Sequence, residues 1–365
     1  MDARSLKPPR GSKAARPNPR DERLELRAER LLDAHELIPR EGAVLVGVSG
    51  GPDSVALIDF LAGYHARAGV PSGGIIAAHV NHGLRGEESE GDAAFVEELA
   101  RRLEIPFQSV RIDLTKAPGG DSPEGAARNL RYGAFRMMAK ALGAARVAVA
   151  HTADDQAETV LLRLVRGAGL TGLSGMRPLR KIHGLTVARP LLTTTREQVL
   201  DYLERRGLSY RLDSTNLSTD PRRNFLRLEI LPRLKTLNPS IRATLIRESA
   251  QFGEVDRYLS AEAARVLPEM TRNREPGKIE LDAEGLLHYP ELLRKYIFRY
   301  ALRELSGDIL DLSTAHIDAL HSLLTSPSGR SADVPMGIQA RRERGALVLR
   351  KQEKEPERAE APSNT

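Results

Sequence analysis

The chain has 365 residues, of which 28% are charged and 41% hydrophobic, with a formal net charge of +6 and no cysteine. The missing thiol excludes disulfides, zinc–thiolate sites, iron–sulfur clusters and cysteine nucleophiles. The length allows two or three domains, and the basic balance permits a polyanionic partner without requiring one.

Residues 1–22 mix Pro, Gly, Ser, Arg and Lys without hydrophobic periodicity and read as a disordered basic tail. That tail lacks the apolar segment of a secretory signal. No apolar run approaches the roughly 20 residues that span a bilayer, so no membrane association and a cytoplasmic location are expected. From about Ala43 to Gly167 strand and helix patterns alternate. Strands are predicted at Val44–Val48, Ile75–Val80, Gln108–Asp113 and Arg146–Ala150. Helices are predicted at Ser54–Ala68, Ser89–Leu103, Gly125–Leu142 and Asp154–Val165. This order implies a Rossmann-like parallel sheet with helices on both faces. Leu170–Leu192 reads as loop-rich with short strands, and Thr195–Arg206 as an amphipathic helix capped by Thr195. Residues 23–215 are thus assigned to an α/β domain and 216–350 to a mainly helical second domain. Within the latter, 216–305 reads as helical, Ala315–Leu324 as a further helix and Gly337–Leu349 as a hairpin. Residues 351–365, charged and containing Pro and Ser, read as a disordered tail.

Candidate site residues fall where strands end. Ser49-Gly50-Gly51-Pro52-Asp53-Ser54 follows the first strand. Gly50 and Gly51 let backbone N–H groups approach an anion, and Pro52 suits the first turn of a helix, whose positive end faces phosphate. Ser49 and Ser54 offer hydroxyl donors. Asp53 would repel phosphate unless a cation stood between them, which points to Mg²⁺. The stretch has no Gly-Lys-Ser/Thr, as a γ-phosphate hydrolysis loop would. Beyond the second strand, His79-Val80-Asn81-His82-Gly83-Leu84-Arg85 reads as a nucleotide or substrate loop. Its histidines lie three apart in an extended segment, which does not put them on one face for a metal. Arg85 carries a planar fork suited to phosphate. Glu124, Arg128 and Arg131 share one helix face, a spacing that a solvated, salt-bridged face would also show. Asp154, Asp155 and Glu158 open the helix after the fourth strand, where dipole complementarity also favours carboxylates. Arg222, Arg223, Arg227, Arg233 and Lys235 concentrate positive charge suited to a phosphate backbone.

The Ser-Gly-Gly-x-Asp-Ser loop resembles that of the N-type ATP pyrophosphatases. Together with H-V-N-H-G-L-R, E-G-A-A-R-N-L-R-Y, H-T-A-D-D-Q-A-E-T and D-S-T-N…R-R-N-F-L-R, in that order, it resembles the tRNA(Ile)-lysidine synthetase family. The resemblance is strong over roughly residues 40–235 and weaker to about 350. It implies an ATP- and Mg²⁺-dependent ligase that joins free L-lysine to the wobble cytidine of tRNA(Ile) with a CAU anticodon. The reaction would pass through an adenylated cytidine, and the product changes the tRNA from methionine to isoleucine identity. On this reading Ser49–Ser54, His79 and Asn81 bind ATP, and Asp53 holds Mg²⁺. Asp53, Arg128, Asp154 and Glu158 serve catalysis. Asp154, Asp155 and Glu158 receive lysine, with the division of roles among them left open. Arg85, Arg222, Arg223 and Arg227 contact tRNA. Family members are often dimers, so a homodimer is an expectation of the resemblance alone. Longer members carry a further C-terminal domain that recognises the acceptor stem, and this chain is expected to end before it. The rival readings are a cysteine-dependent tRNA thiolation enzyme, a small-molecule ligase of the same fold and a non-catalytic RNA-binding protein.

Overall fold

The computed structural model describes residues 23–39, 41–69, 74–81, 87–113, 123–182, 184–211, 221–307 and 312–352. Both tails assigned to disorder therefore lie outside the described residues, except that the final strand runs through Lys351. In chain order the first part comprises α1 (Leu24–His35), β1 (Ala43–Gly47), α2 (Pro52–Arg67), β2 (Ile75–Asn81), α3 (Glu87–Arg102), β3 (Phe107–Arg111), α4 (Pro123–Ala141), β4 (Ala144–Ala148) and α5 (Ala153–Val165). Then follow α6 (Leu170–Leu173), β5 (Leu179–Ile182), β6 (Leu185–Ala188), α7 (Arg196–Arg206), α8 (Pro221–Phe225), a π-helical turn at Leu226–Ile230 and α9 (Leu231–Leu237). The rest is α10 (Ile241–Met270), β7 (Thr271–Glu275), β8 (Lys278–Asp282), α11 (Ala283–Leu287), α12 (Glu291–Ser306), α13 (Thr314–Leu323), β9 (Ser331–Val334), β10 (Ile338–Glu343) and β11 (Ala346–Lys351). The chain divides into two compact units, Met1–Gln156 with Arg177–Glu229, and Ala157–Met176 with Ile230–Thr365. Each unit is assembled from two stretches, whereas the sequence reading placed one boundary after residue 215.

The first unit is built on a six-stranded sheet of order β3-β2-β1-β4-β6-β5. Pairings among β3, β2, β1, β4 and β6 are parallel, and only the edge pair β5–β6 is antiparallel. The predicted parallel sheet is therefore present, with an antiparallel edge added. Strand β1, Ala-Val-Leu-Val-Gly, is buried on both sides because its alternating residues all meet cover. Leu45 packs with Tyr132, Phe135, Met138 and Ala139 of α4, while Val44 and Val46, equally buried, alternate to the opposite face. Gly47 ends the strand where a Cβ would come within 2.7 Å of Phe135 Cζ, so only glycine lets α4 approach this closely. Helix α2 buries Val55, Leu57, Ile58, Phe60 and Leu61. It is tied to α7 through Asp59, only 2% exposed, which accepts from the Tyr202 hydroxyl at 2.5 Å and from Arg206 Nε at 3.0 Å and Nη2 at 3.2 Å. Thr195 caps α7 as the sequence predicts, in a reciprocal capping box with Gln198.

The second unit pairs helices with a five-stranded antiparallel sheet of order β7-β8-β11-β10-β9. The predicted hairpin is β10–β11. The helical reading of 216–305 is corrected at β7 and β8. There Pro276-Gly277 turns the chain, and the alternation of Lys278-Ile279-Glu280-Leu281 buries Ile279 and Leu281. Phe298, Ile297 and Leu302 of α12 pack with Ile279, Leu281, Leu347 and Leu349 in this core.

Candidate functional site

The strand order places β1 between β2 and β4, so the chain leaves β1 in one direction and returns on its other side through β4. Ligands of such sheets bind outside the carboxyl ends of the strands at this point of divergence. The Ser49–Ser54 turn follows β1, and the His151–Asp155 segment follows β4.

The turn after β1 closes on itself. Gly50 has φ +89°, in the left-handed region that glycine enters without strain. Buried Ser54 donates its hydroxyl to the Gly51 carbonyl at 2.9 Å and accepts from the Ser49 N–H at 3.1 Å. The Ser49 hydroxyl lies 3.2 Å from that of Ser54. The serines thus help to build the loop from which the sequence reading has them meet a ligand. Gly51 is the N-cap of α2 and Pro52 stands in its first turn, with no side chain capping the helix. Pro52 has no N–H and that of Val55 meets the Gly51 carbonyl, so the N–H groups of Asp53 and Ser54 are those that the first turn can offer an anion. Arg211 braces the loop from a distance in sequence, donating its backbone N–H to the Gly50 carbonyl at 2.9 Å while its guanidinium pairs with Asp92 at 2.5 Å. His79 holds the base of the turn, its Nδ1 lying 2.9 Å from the Val48 carbonyl oxygen. A carbonyl only accepts, so the proton sits on Nδ1, and burial lowers the pKa of this histidine. Asn81, half-buried, ends β2, and Arg85 lies outside the described residues.

After β4, Thr152 and Asp155 form a reciprocal cap for α5. Asp155 Oδ2 accepts from the Thr152 N–H at 2.8 Å and hydroxyl at 3.0 Å, and the Asp155 N–H meets Thr152 Oγ1 at 3.4 Å. Asp154 Oδ2 accepts the backbone N–H of Arg196 at 2.8 Å. The Arg196 guanidinium reaches Asp53 Oδ2 at 3.0 Å. The loops after β1 and β4 are therefore joined through the first residue of α7. Asp53 Oδ1 is buried and has no hydrogen-bond partner among the described residues. Burial raises the Asp53 pKa to about 6. Arg196 opposes the shift, Asp155 and Asp154 add to it, and Arg227 opposes it. Arg227 Nη2 stands 4.0 Å from Asp155 Oδ1.

The structure thus brings Asp53, Asp154, Asp155 and Arg227 together. Glu158 is buried at 2% exposure one turn further along α5. Arg128, half-buried on α4, lies over the Tyr132 ring at 5.1 Å. Arg222 is exposed and Arg223 half-buried on α8. Arg196, Arg211 and Arg189 escaped the sequence reading. For Arg196 a signal existed, since Thr195 was identifiable as a cap and the next residue necessarily opens the helix. Among the described residues there is no cluster of three or more His, Asp or Glu side chains able to hold a metal, and no helix long and apolar enough to cross a membrane.

A parallel sheet with an uncapped glycine loop at the β1/β4 divergence defines a phosphate-binding domain of the PP-loop class, and the profile described as the PP-loop domain matches residues 21–234. A second profile, the TilS substrate binding domain, matches residues 281–348. The tRNA(Ile)-lysidine synthase of Dehalococcoides mccartyi is 37% identical over 85% of this chain and 66% of its own length. That of Caldanaerobacter subterraneus is 32% identical over 88% of this chain and 68% of its own length. The chain belongs to the tRNA(Ile)-lysidine synthase family. It spans 60 to 66% of the length of the first four curated relatives it matches. A U34-tRNA thiolase of Methanococcus maripaludis, solved with its [4Fe-4S] cluster, shares the fold with a TM-score of 0.53 at 20% identity, covering 63% of this chain and 78% of that one. This chain has no cysteine with which to hold such a cluster.

Proposed function

We propose that this chain ligates L-lysine to the wobble cytidine of tRNA(Ile) with a CAU anticodon, consuming ATP and releasing diphosphate and AMP. The cytosine O2 attacks the α-phosphorus of ATP, and diphosphate leaves. The side-chain amine of lysine then attacks carbon 2, and AMP leaves with the former O2. A carbonyl oxygen is a poor leaving group, and adenylation makes it a good one. The wobble base is accessible because an anticodon loop presents it unpaired.

The observation that carries this reading is the junction of Asp53, Asp154 and Asp155 beside an anion-binding turn, in a chain of this family. The Asp53 and Ser54 N–H groups in the uncapped first turn of α2 suit the leaving diphosphate. Asp53 fits a Mg²⁺ ion, since its Oδ1 is a buried oxygen without a partner among the described residues and hard cations take oxygen ligands. Bound there, the ion would neutralise charge developing on the phosphates. Arg128 is assigned to the α-phosphate, and Arg222, Arg223 and Arg227 to tRNA phosphates. Asp154, Asp155 and Glu158 are assigned to the cationic lysine. Asp155 already caps α5, so its remaining oxygen is the one available for this role. A cytoplasmic location accords with tRNA as the substrate.

The test is ATP-dependent incorporation of radiolabelled lysine into unmodified tRNA(Ile) with a CAU anticodon, run beside elongator tRNA(Met). Label on the isoleucine tRNA alone is expected. No label, with diphosphate released only when another acceptor is supplied, would overturn the reading in favour of a small-molecule ligase. Within the same assay, Glu158→Gln is expected to raise the lysine KM by roughly 10–100-fold, the worth of one charge-assisted hydrogen bond. An unchanged KM in a variant of unchanged Tm would remove Glu158 from the lysine site.

A further inference from the structure

Arg189 is a buried cation that the chemistry above does not use. It follows β6, is 2% exposed, and makes no ion pair with a carboxylate among the described residues. Its Nη1 donates to the Arg177 carbonyl at 2.8 Å, and its Nε donates to His151 Nδ1 at 3.2 Å. Tyr132, whose ring carries Arg128, also acts on its charge and is a neighbour of the same guanidinium. A buried guanidinium without an anion is costly. Its retention here calls for a role that its charge and geometry perform.

The hydrogen bond to His151 fixes that role. A guanidinium only donates, so His151 Nδ1 must be an unprotonated acceptor. The ring is then neutral and carries its proton on Nε2. This is the opposite tautomer to His79, whose Nδ1 donates to the Val48 carbonyl. Burial foremost, and then the charges of Arg189, Arg128, Arg223 and Arg131, from the loop after β6, from α4 and from α8, oppose protonation of His151, while the carboxylates of Asp154 and Asp155 follow it at the start of α5. His151 sits at the carboxyl end of β4, across the strand divergence from the loop assigned to diphosphate.

We propose that Arg189 is a positioning residue that locks His151 as a neutral Nε2–H donor to a phosphoryl oxygen of the adenylate, and that the same side chain supports the Tyr132–Arg128 stack on which that phosphoryl group rests. His151 then serves as a fixed donor and not as a proton shuttle. The assignment of the ligand as an adenylate rests on the function proposed above; the tautomer lock does not.

Nitrogen-15 NMR of histidine-labelled full-length protein tests the lock, with the His151 signals identified by their loss in His151→Gln. Expected is one unprotonated Nδ1 and one protonated Nε2, unchanged between about pH 5.5 and 8, a range that spans the ordinary histidine pKa. In Arg189→Met the tautomers should mix and His151 should titrate. Titration of His151 in the wild type, or an unaltered tautomer in a folded Arg189→Met protein, would overturn the lock. Should Arg189→Met fail to fold, AMP binding to His151→Gln and His151→Leu decides the donor role. Glutamine keeps an N–H near the Nε2 position and should bind AMP about tenfold more tightly than leucine does, the worth of one hydrogen bond. Equal AMP affinities would overturn the donor role. A locked tautomer with no lysine incorporation would leave the positioning role standing and remove the proposed reaction.

Discussion

Asp53→Asn is expected to lower kcat for lysine transfer by roughly 10²–10³-fold, the usual cost of removing one preorganised electrostatic group, while making the ligand-free protein more stable at neutral pH. The two effects have one origin. Burial holds the Asp53 pKa near 6, above its ordinary 3.8, and neighbouring Asp155 and Asp154 reinforce the shift against Arg196. The ionised form is therefore the disfavoured one in the folded protein. Between about pH 6 and 4 the fold binds a proton that the unfolded chain releases. The associated stability is fully present below about pH 4 and lost as the pH rises through about 6. At neutral pH the charge costs at most about 3 kcal/mol, from two pKa units at 1.36 kcal/mol each. Asparagine keeps the shape of the protonated acid and carries no charge. Calorimetry from about pH 4.5 to 8 should show a Tm raised by a few degrees above pH 6, with the difference fading towards pH 4.5. A variant less stable than the wild type at pH 7 would mean that the Arg196 pair outweighs the burial cost. The Mg²⁺ binding proposed for Asp53 should also weaken below about pH 6, as the carboxylate takes up a proton; Mg²⁺ titration at pH 5 and 7.5 checks it.

Asp59→Ala should destabilise the fold by about 1–3 kcal/mol, the usual cost of leaving a buried polar group without its partner. Asp59 accepts both from Tyr202 and from two nitrogens of Arg206. Arg206, at 53% side-chain exposure, can turn to water when its partner is removed. Buried Tyr202 cannot, and its hydroxyl would be left without an acceptor. Urea unfolding should show the midpoint fall with an unchanged m-value. Adding Tyr202→Phe to Asp59→Ala should recover part of the loss by removing the orphaned hydroxyl. The same carboxylate holds α7, which presents Arg196 to Asp53 and Asp154, so residual activity in Asp59→Ala should fall further than the folded fraction does.

These expectations draw unequally on what was legible in the chain. The turn after β1, the carboxylates after β4 and the cap of α7 were readable because each is local. Small residues, a proline and a threonine at fixed offsets dictate a strand-to-helix transition wherever they stand. The place of Arg196 at the start of α7 was readable from its cap, but its partners were not, and neither were those of Arg189 and Arg211. Each is a single arginine among many, and its partner lies far along the chain, as Asp53 does from Arg196. Only the sheet order brings them together. Ser49 and Ser54 also make bonds within the turn that the sequence did not show. A serine beside a sharp turn can satisfy the turn's own backbone before any ligand arrives, and periodicity does not report which partner prevails. The β7–β8 hairpin was hidden by the long helices around it, although Pro276-Gly277 and the alternation after it carried the signal. The compact units escaped for the same reason as the arginines, since each gathers stretches separated in sequence.

The bond from the Ser54 hydroxyl to the Gly51 carbonyl makes the turn a closed unit of the chain's own groups. The Ser49 N–H completes the closure on the Ser54 hydroxyl, and Gly50 supplies the left-handed residue that the closure needs. A change at Ser54 or Gly50 therefore alters the shape of the whole turn, and its effect on an anion would be felt through every N–H group there at once and not through one lost contact.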